Sequence, residues 1–101
     1  MLLMDHPATA TGEAMRLLSS GIAAAKSGRR EAARSALGRA AELEPSSEWT
    51  WLWLAGVEEP REAVRCLERV LAINSGNDRA LAGLRDARLK AGAAAAQTGE
   101  R

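Results

Sequence analysis

The residues that could take part in chemistry are few and far apart in this sequence. The chain has one histidine, His6, and one cysteine, Cys66, so it can form neither an internal disulfide nor a thiolate metal cluster. It contains no HExxH motif and no glycine-rich phosphate loop. Glu58 and Glu59 are adjacent carboxylates at a predicted turn, where we expect no pocket around them. The sequence therefore predicts no catalytic residue, no metal, no cofactor, no small-molecule substrate and no enzyme activity.

Cys66 and His6 have simpler explanations than a reactive site. Cys66 lies one helical turn from Ala63 and Val70, so we interpret it as a half-buried small hydrophobe, with a reactive thiol as the alternative. His6 lies in a segment without periodicity and has no second metal ligand beside it, which predicts a solvated side chain.

A row of arginines could contact phosphate. Arg61, Arg65 and Arg69 recur at every fourth position, on one face of a predicted helix. Glu62 and Glu68 lie beside them, so we interpret the face as solvated and charge-paired, with phosphate binding as the alternative. The 14 basic and 13 acidic residues give a net charge of only +1, which disfavours binding to nucleic acid.

Composition favours one small helical domain. Alanine and leucine dominate, Phe and Tyr are absent, and 47% of the 101 residues are hydrophobic. The first residues lack a basic region that would mark a signal peptide, and no apolar run approaches the roughly 18 residues of a membrane span. We expect a soluble cytoplasmic protein.

Local signals divide the chain into five predicted helices. Apolar residues begin to recur with helical spacing near Gly12, and short polar or proline-containing links separate each helical pattern from the next. These links contain Gly28 after the first helix, Pro45 after the second, a cap at Ser46 or Ser47 before the third, Pro60 at the start of the fourth, and a cap at Asn77 before the fifth.

Three tryptophans on the third helix cannot share one face. Trp49 and Trp53 are neighbours four positions apart, whereas Trp51 points roughly 160° away from them at about 100° per residue. At least one large aromatic ring must therefore leave the core of its own hairpin. Trp49 or Trp53 either packs on an adjacent hairpin or forms an exposed anchor for a partner, as tryptophan does at interfaces.

The chain contains an internal repeat of about thirty residues. The positions of Ala33, Leu37 and Ala40 match those of Ala63, Leu67 and Val70 without a gap. These positions resemble the tetratricopeptide (TPR) repeat pattern. The matching residues are Leu17, Ser20, Gly21, Ala24, Gly28, Ala33, Leu37, Ala40 and Pro45 in the first copy, and Trp51, Leu54, Ala55, Ala63, Leu67, Val70 and Ser75 in the second.

The resemblance implies a short TPR-like solenoid of about five antiparallel helices, an all-α fold. We predict a flexible leader over 1–11 and a domain over 12–90, followed by a frayed tail over 91–101. Within the domain, the expected units are repeat one at about 14–47, repeat two at about 48–77, and a solvating cap helix at about 78–90. The second unit is about four residues short near Pro60, so its hairpin turn must be tight.

The resemblance also implies that the first helix of each hairpin lines a concave groove. Trp51, Leu54 and Ala55 would instead face the second helices as core. The function expected is that of a non-catalytic adaptor or scaffold whose groove binds an apolar peptide or helix of a partner protein. The alternative is a structural subunit or homo-oligomer that uses the same apolar face. The candidate partner-binding residues are Met15, Leu18, Ile22, Trp49, Leu52, Trp53 and Arg79.

Overall fold

The fold is that of a computed structural model, which describes the backbone of residues 5–97 and the side chains of residues 12–94. Five helices follow one another along the chain: α1 (Asp5–Lys26), α2 (Arg30–Leu43), α3 (Glu48–Val57), α4 (Pro60–Ile73) and α5 (Asp78–Gln97). Each helix packs mainly against the next, with a smaller contact between α1 and α3. No strand occurs within residues 5–97. The predicted all-α fold of five helices is confirmed.

The first and last helices are longer than predicted. The α1 helix begins at Asp5, seven residues before Gly12, so residues 5–11 of the predicted leader are helical. Pro7 is compatible with this because the first N–H groups of a helix have no intrahelical acceptor. The α5 helix continues through the alanine-rich segment to Gln97, as the high helix propensity of alanine allows. Residues 1–4 and 98–101 of the predicted leader and tail lie outside the described residues.

The predicted helix ends are confirmed at three links. Gly28 adopts a φ of 80°, a left-handed conformation that glycine reaches without a steric penalty. Of the two candidate caps for α3, Ser47 is the one used, and its hydroxyl accepts a hydrogen bond from the Thr50 N–H at 3.3 Å. Pro60 is the first residue of α4. Local residue chemistry therefore determines where these helices begin and end.

A polar cluster joins the starts of α3 and α5. Asn77 caps α5 by accepting a hydrogen bond from the Ala80 N–H at 2.9 Å, as its position in the sequence predicted. The Asn77 amide also donates to Glu48 Oε1 at 2.8 Å, and Asn74 donates to the same oxygen at 3.1 Å. Glu48 thus ties the link between α4 and α5 to the first turn of α3.

Replacing Asn77 by alanine is expected to lower the free energy of unfolding by about 1–2 kcal/mol, because it removes both the cap and one bond to Glu48. Chemical denaturation followed by circular dichroism measures this. Ser75→Ala in the same exposed link is the matched control and should change stability by less than about 0.5 kcal/mol. If the two substitutions changed the free energy of unfolding equally, the polar cluster would not contribute to stability.

Small residues allow the first hairpin to pack closely. The buried face of α2 consists of Ala33, Leu37, Ala40 and Ala41, and the first three are matched positions of the internal repeat. A Cβ built at Gly21 of α1 would lie 2.6 Å from Leu37 Cγ, so the absence of a side chain there sets the distance between α1 and α2. At this point of the hairpin, the fully buried Leu37 of α2 packs directly against Gly21 of α1.

The buried face of α1 is made of smaller residues than its periodicity suggested. Among residues 12–26 of α1, the buried ones are Ala14, Gly21 and Ala24. Met15 is 59% exposed, while Leu18 and Ile22 are half-buried. In α5, Leu84 and Ala87 are buried, whereas Leu81 is 44% exposed.

A candidate binding site between the third and fifth helices

The two tryptophans on one face of α3 form an aromatic pair. The rings of Trp49 and Trp53 meet edge to face, with centroids 6.3 Å apart and planes at 81°. Trp49 is 45% exposed, whereas Trp53 is half-buried and packs against the core. Of the two rings, Trp49 is therefore the one that leaves the core.

Arg79, in the first turn of α5, covers one side of this pair. Its guanidinium carbon lies 5.5 Å from the centroid of the Trp49 ring, a cation–π contact. Among the described residues Arg79 makes no ion pair. The contact joins α5 to α3 on the side away from the core.

These side chains surround an open, mainly apolar cavity. The cavity measures about 230 Å³ and is lined by Trp49, Leu52, Trp53, Gly56 and Arg79. A second cleft of about 450 Å³ lies beside it and shares the residues Leu52, Gly56 and Arg79, so the two are continuous. The α3 helix supplies the apolar wall and α5 supplies the charged edge. We refer to the cavity and the cleft together as the α3–α5 groove.

The chain matches no protein-family model, no curated protein and no solved structure. The resemblance to the tetratricopeptide repeat therefore stays a prediction from the residue pattern.

Four of the seven predicted partner-binding residues meet in the cavity: Trp49, Leu52, Trp53 and Arg79. The three predicted on α1 do not line it. Leu18 packs against the core, Ile22 is half-buried and Met15 is exposed. The groove is lined by α3 and α5 but not by α1. Arg30 of α2 and residues of α4, Ala63 and Leu67 among them, also line its cleft.

Trp51 lies on the opposite face of α3, as its spacing predicted, but it is only half-buried. Its indole Nε1–H donates a hydrogen bond to the backbone carbonyl of Pro45 at 2.8 Å. The guanidinium of Arg69 in α4 lies 5.2 Å from the Trp51 ring centroid. Leu54 and Ala55, predicted as core with Trp51, are buried. Trp51 therefore anchors α3 within its own hairpin.

Cys66 is buried among core residues, more completely than the half-burial predicted. Burial, followed by the negative charges of Glu58 and Glu62, raises the pKa of the thiol to about 12. A thiol of this kind is protonated at neutral pH and is a poor nucleophile. Its environment fits a core side chain.

We expect Cys66 of the folded chain to react with a disulfide reagent at pH 8 at least about 100-fold more slowly than in the unfolded chain, because the thiolate is the nucleophile.

The stability of the fold should also depend on pH through Cys66. The thiol pKa of about 12 in the folded chain lies above the unperturbed value of 9.0, so the unfolded chain loses the thiol proton first as pH rises. The stability contributed by the neutral thiol is therefore complete below pH 9 and is lost between pH 9 and 12.

Absorbance at 412 nm with and without guanidinium chloride gives the two reaction rates. The denaturation midpoint between pH 8 and 11 tests the pH dependence. Cys66→Ala, which cannot titrate, should lack that part of the pH dependence. Equal reaction rates in the folded and unfolded chains would contradict the buried position of the thiol.

The arginine row predicted on α4 makes contacts within the fold. In the predicted arginine row, Arg65 pairs with Glu62 at 3.5 Å and Arg69 covers Trp51, so both contacts are structural.

No group of three or more His, Cys, Asp and Glu among the described residues could hold a metal ion. The side chain of His6 lies outside the described residues. None of the described helices is both long and apolar enough to cross a membrane.

Proposed function

We propose that this chain is a non-catalytic binding module that takes up an apolar segment of another protein in the α3–α5 groove. The observation that carries the proposal is the exposed Trp49 ring, which lines an open cavity together with Leu52 and Trp53. Exposed tryptophan beside apolar side chains is the composition of binding hot spots. The resemblance of residues 14–90 to the tetratricopeptide repeat supports it, because first helices line the binding groove in that family.

The groove suits a segment with two or three apolar side chains. Its 230 Å³ cavity accommodates one large aliphatic or aromatic side chain, and the adjoining cleft extends the site along α5. Burying each such side chain contributes about 1.5–3 kcal/mol. After the cost of association, an affinity in the roughly micromolar range is expected.

Arg79 has a positioning role in this proposal. Its stacking on Trp49 restricts the rotation of an otherwise exposed indole, so the ring is held in place before the partner arrives. A cation–π contact at an exposed position contributes about 0.5–1 kcal/mol. Preorganisation of this size improves affinity because less conformational freedom is lost on binding.

A display selection tests the proposed function. A library of random linear peptides is selected on the wild-type chain and, in parallel, on the Trp49→Ala/Trp53→Ala double variant. We expect peptides with spaced Leu, Ile, Phe or Trp residues to be enriched on the wild type alone. Failure to enrich any peptide on the wild type, or equal enrichment on both chains, would contradict the proposal.

The structural alternative uses the same surface for self-association or for permanent docking in a larger complex. It is favoured by the number of large apolar side chains that are exposed in an isolated chain: Met15, Trp49, Ile73, Leu81 and Leu89. Light scattering over a dilution series distinguishes the two. A dimer that Trp49→Ala converts to a monomer would establish the alternative, whereas a wild-type monomer leaves the groove open for another protein.

A further inference from the structure

The fifth helix repeats the third at a distance of thirty residues. Ser47 caps α3 through the Thr50 N–H, and Asn77 caps α5 through the Ala80 N–H, thirty positions later in each case. Thr50 and its counterpart Ala80 are both buried. The correspondence continues along the helices, because Val57 and its counterpart Ala87 are also buried.

One pair of corresponding positions differs in what covers it. In α3, Trp51 and Leu54 face the following helix, α4, which places Arg69 over the indole. Their counterparts in α5 are Leu81 and Leu84. Leu84 is buried, as Leu54 is, but Leu81 is 44% exposed. The face of α3 that α4 covers therefore has a partly exposed counterpart on α5.

The uncovered face is an apolar cleft with a basic rim. The cleft measures about 490 Å³ and is lined by Leu81, Leu84, Arg85, Arg88 and Leu89. Leu89 is 70% exposed. The resemblance to the tetratricopeptide repeat predicted a solvating cap helix at this position, on which an exposed leucine is unexpected. Arg88 pairs with Glu68 of α4 at 3.3 Å, and Arg85 makes no ion pair among the described residues.

We propose that this face of α5 binds an amphipathic helix of a partner protein, antiparallel to α5 as α4 is to α3. The partner helix presents apolar side chains to Leu81, Leu84 and Leu89 and carboxylates to Arg85 and Arg88. The α4 helix is the template for the apolar contact, and the two guanidinium groups select acidic residues at its edge. This inference is independent of the α3–α5 groove, because none of its residues lines that groove.

Charge argues against a second copy of this chain as the occupant. Two α5 faces packed antiparallel would bring the Arg85 and Arg88 side chains of both copies to the same interface. Each Arg88 is already paired with Glu68 of its own copy, but the two Arg85 side chains make no ion pair among the described residues and would repel one another. Like charges across an interface are strongly unfavourable. An acidic helix removes that repulsion.

Two synthetic peptides test the proposal against the full chain. Both are fluorescein-labelled helices of about 16 residues with one Leu/Ala stripe, and the positions that flank the stripe hold Glu in one peptide and Lys in the other. Fluorescence anisotropy should show the Glu peptide binding about tenfold more tightly or better, since two attractive contacts become repulsive in the Lys peptide. Leu89→Ser should weaken that binding while circular dichroism shows an intact fold.

A charge reversal makes the test specific. Arg85→Glu should reduce or reverse the preference for the Glu peptide, whereas Arg39→Glu, an equal charge change on the exposed side of α2, should leave it unchanged. Nitrogen-15 spectra should place the shifted amides on α5 and leave the Trp49 and Trp53 indoles unaffected. Equal affinity for the two peptides, no binding of either, or a dimer that Leu89→Ser dissociates would overturn the proposal.

Discussion

Replacing Gly21 by alanine is expected to lower the free energy of unfolding by about 2 kcal/mol, although alanine is the better helix former. The added Cβ would lie 2.6 Å from Leu37 Cγ, 2.8 Å from Leu37 Cδ2 and 3.3 Å from the Leu37 backbone nitrogen. Leu37 is 0% exposed, so it cannot move away without displacing the core. Denaturant unfolding followed by circular dichroism and tryptophan fluorescence measures the change.

Replacing Gly38 by alanine should have the opposite effect on the free energy of unfolding. A Cβ at Gly38 of α2 meets nothing within 4 Å, so Gly38→Ala should stabilise the chain by about 0.5–1 kcal/mol through reduced backbone entropy in the unfolded state. A double-mutant cycle identifies the contact: in a Leu37→Ala background, Gly21→Ala should no longer destabilise. Equal stabilisation of the chain by Gly21→Ala and Gly38→Ala would contradict the close packing of α1 on α2 at Gly21.

Replacing either Trp49 or Trp53 by alanine is expected to weaken binding of a selected apolar peptide by about 30-fold, corresponding to roughly 2 kcal/mol. Each substitution removes an aromatic wall of the cavity, and the two rings also support each other edge to face. Isothermal titration calorimetry with the tightest peptide from the display selection gives the affinities.

Met15→Ala is the control for this prediction. Met15 was a candidate binding residue from the sequence, is 59% exposed and does not line the cavity, so its loss should change affinity by less than about twofold. Thermal melts of each variant separate lost binding from lost folding. If Met15→Ala weakened peptide binding as much as Trp53→Ala, the binding site would lie on α1 instead.

The helix boundaries that depend on local chemistry were predictable from the sequence. Gly28, Pro60 and Asn77 act on the backbone within one turn of their own position, so their effect does not depend on the rest of the fold. The far ends of α1 and α5 were not predicted. Pro7 and the alanine-rich segment after Lys90 each permit helix without requiring it, and neither carries an apolar stripe that would indicate one.

The contacts of α1 required the three-dimensional structure. Met15, Leu18 and Ile22 were predicted to line the groove, but α1 approaches α2 at Gly21, where a Cβ would collide with Leu37. Periodicity measures side-chain hydrophobicity and contains no information about the distance between two helices. The repeat pattern did place Gly21 among the matching positions, so alignment carried a signal that periodicity lacked.

The candidate site was predictable in part. The spacing of the tryptophans separated Trp51 from the other two and placed Trp49 and Trp53 on one face. The bond from Trp51 to Pro45, and the stacking of Arg79 on Trp49, join residues on different elements. Such contacts depend on the angle at which α3, its preceding link and α5 meet, which no local pattern encodes.

The most direct test of the proposed binding site is a titration of the nitrogen-15-labelled chain with the tightest selected peptide, observing the three indole N–H resonances. We expect the Trp49 and Trp53 resonances to shift, whereas the Trp51 resonance should stay in place because its Nε1–H donates a hydrogen bond to the Pro45 carbonyl at 2.8 Å. A peptide that binds at saturation but shifts Trp51 alone, or none of the three, would contradict a binding site between α3 and α5.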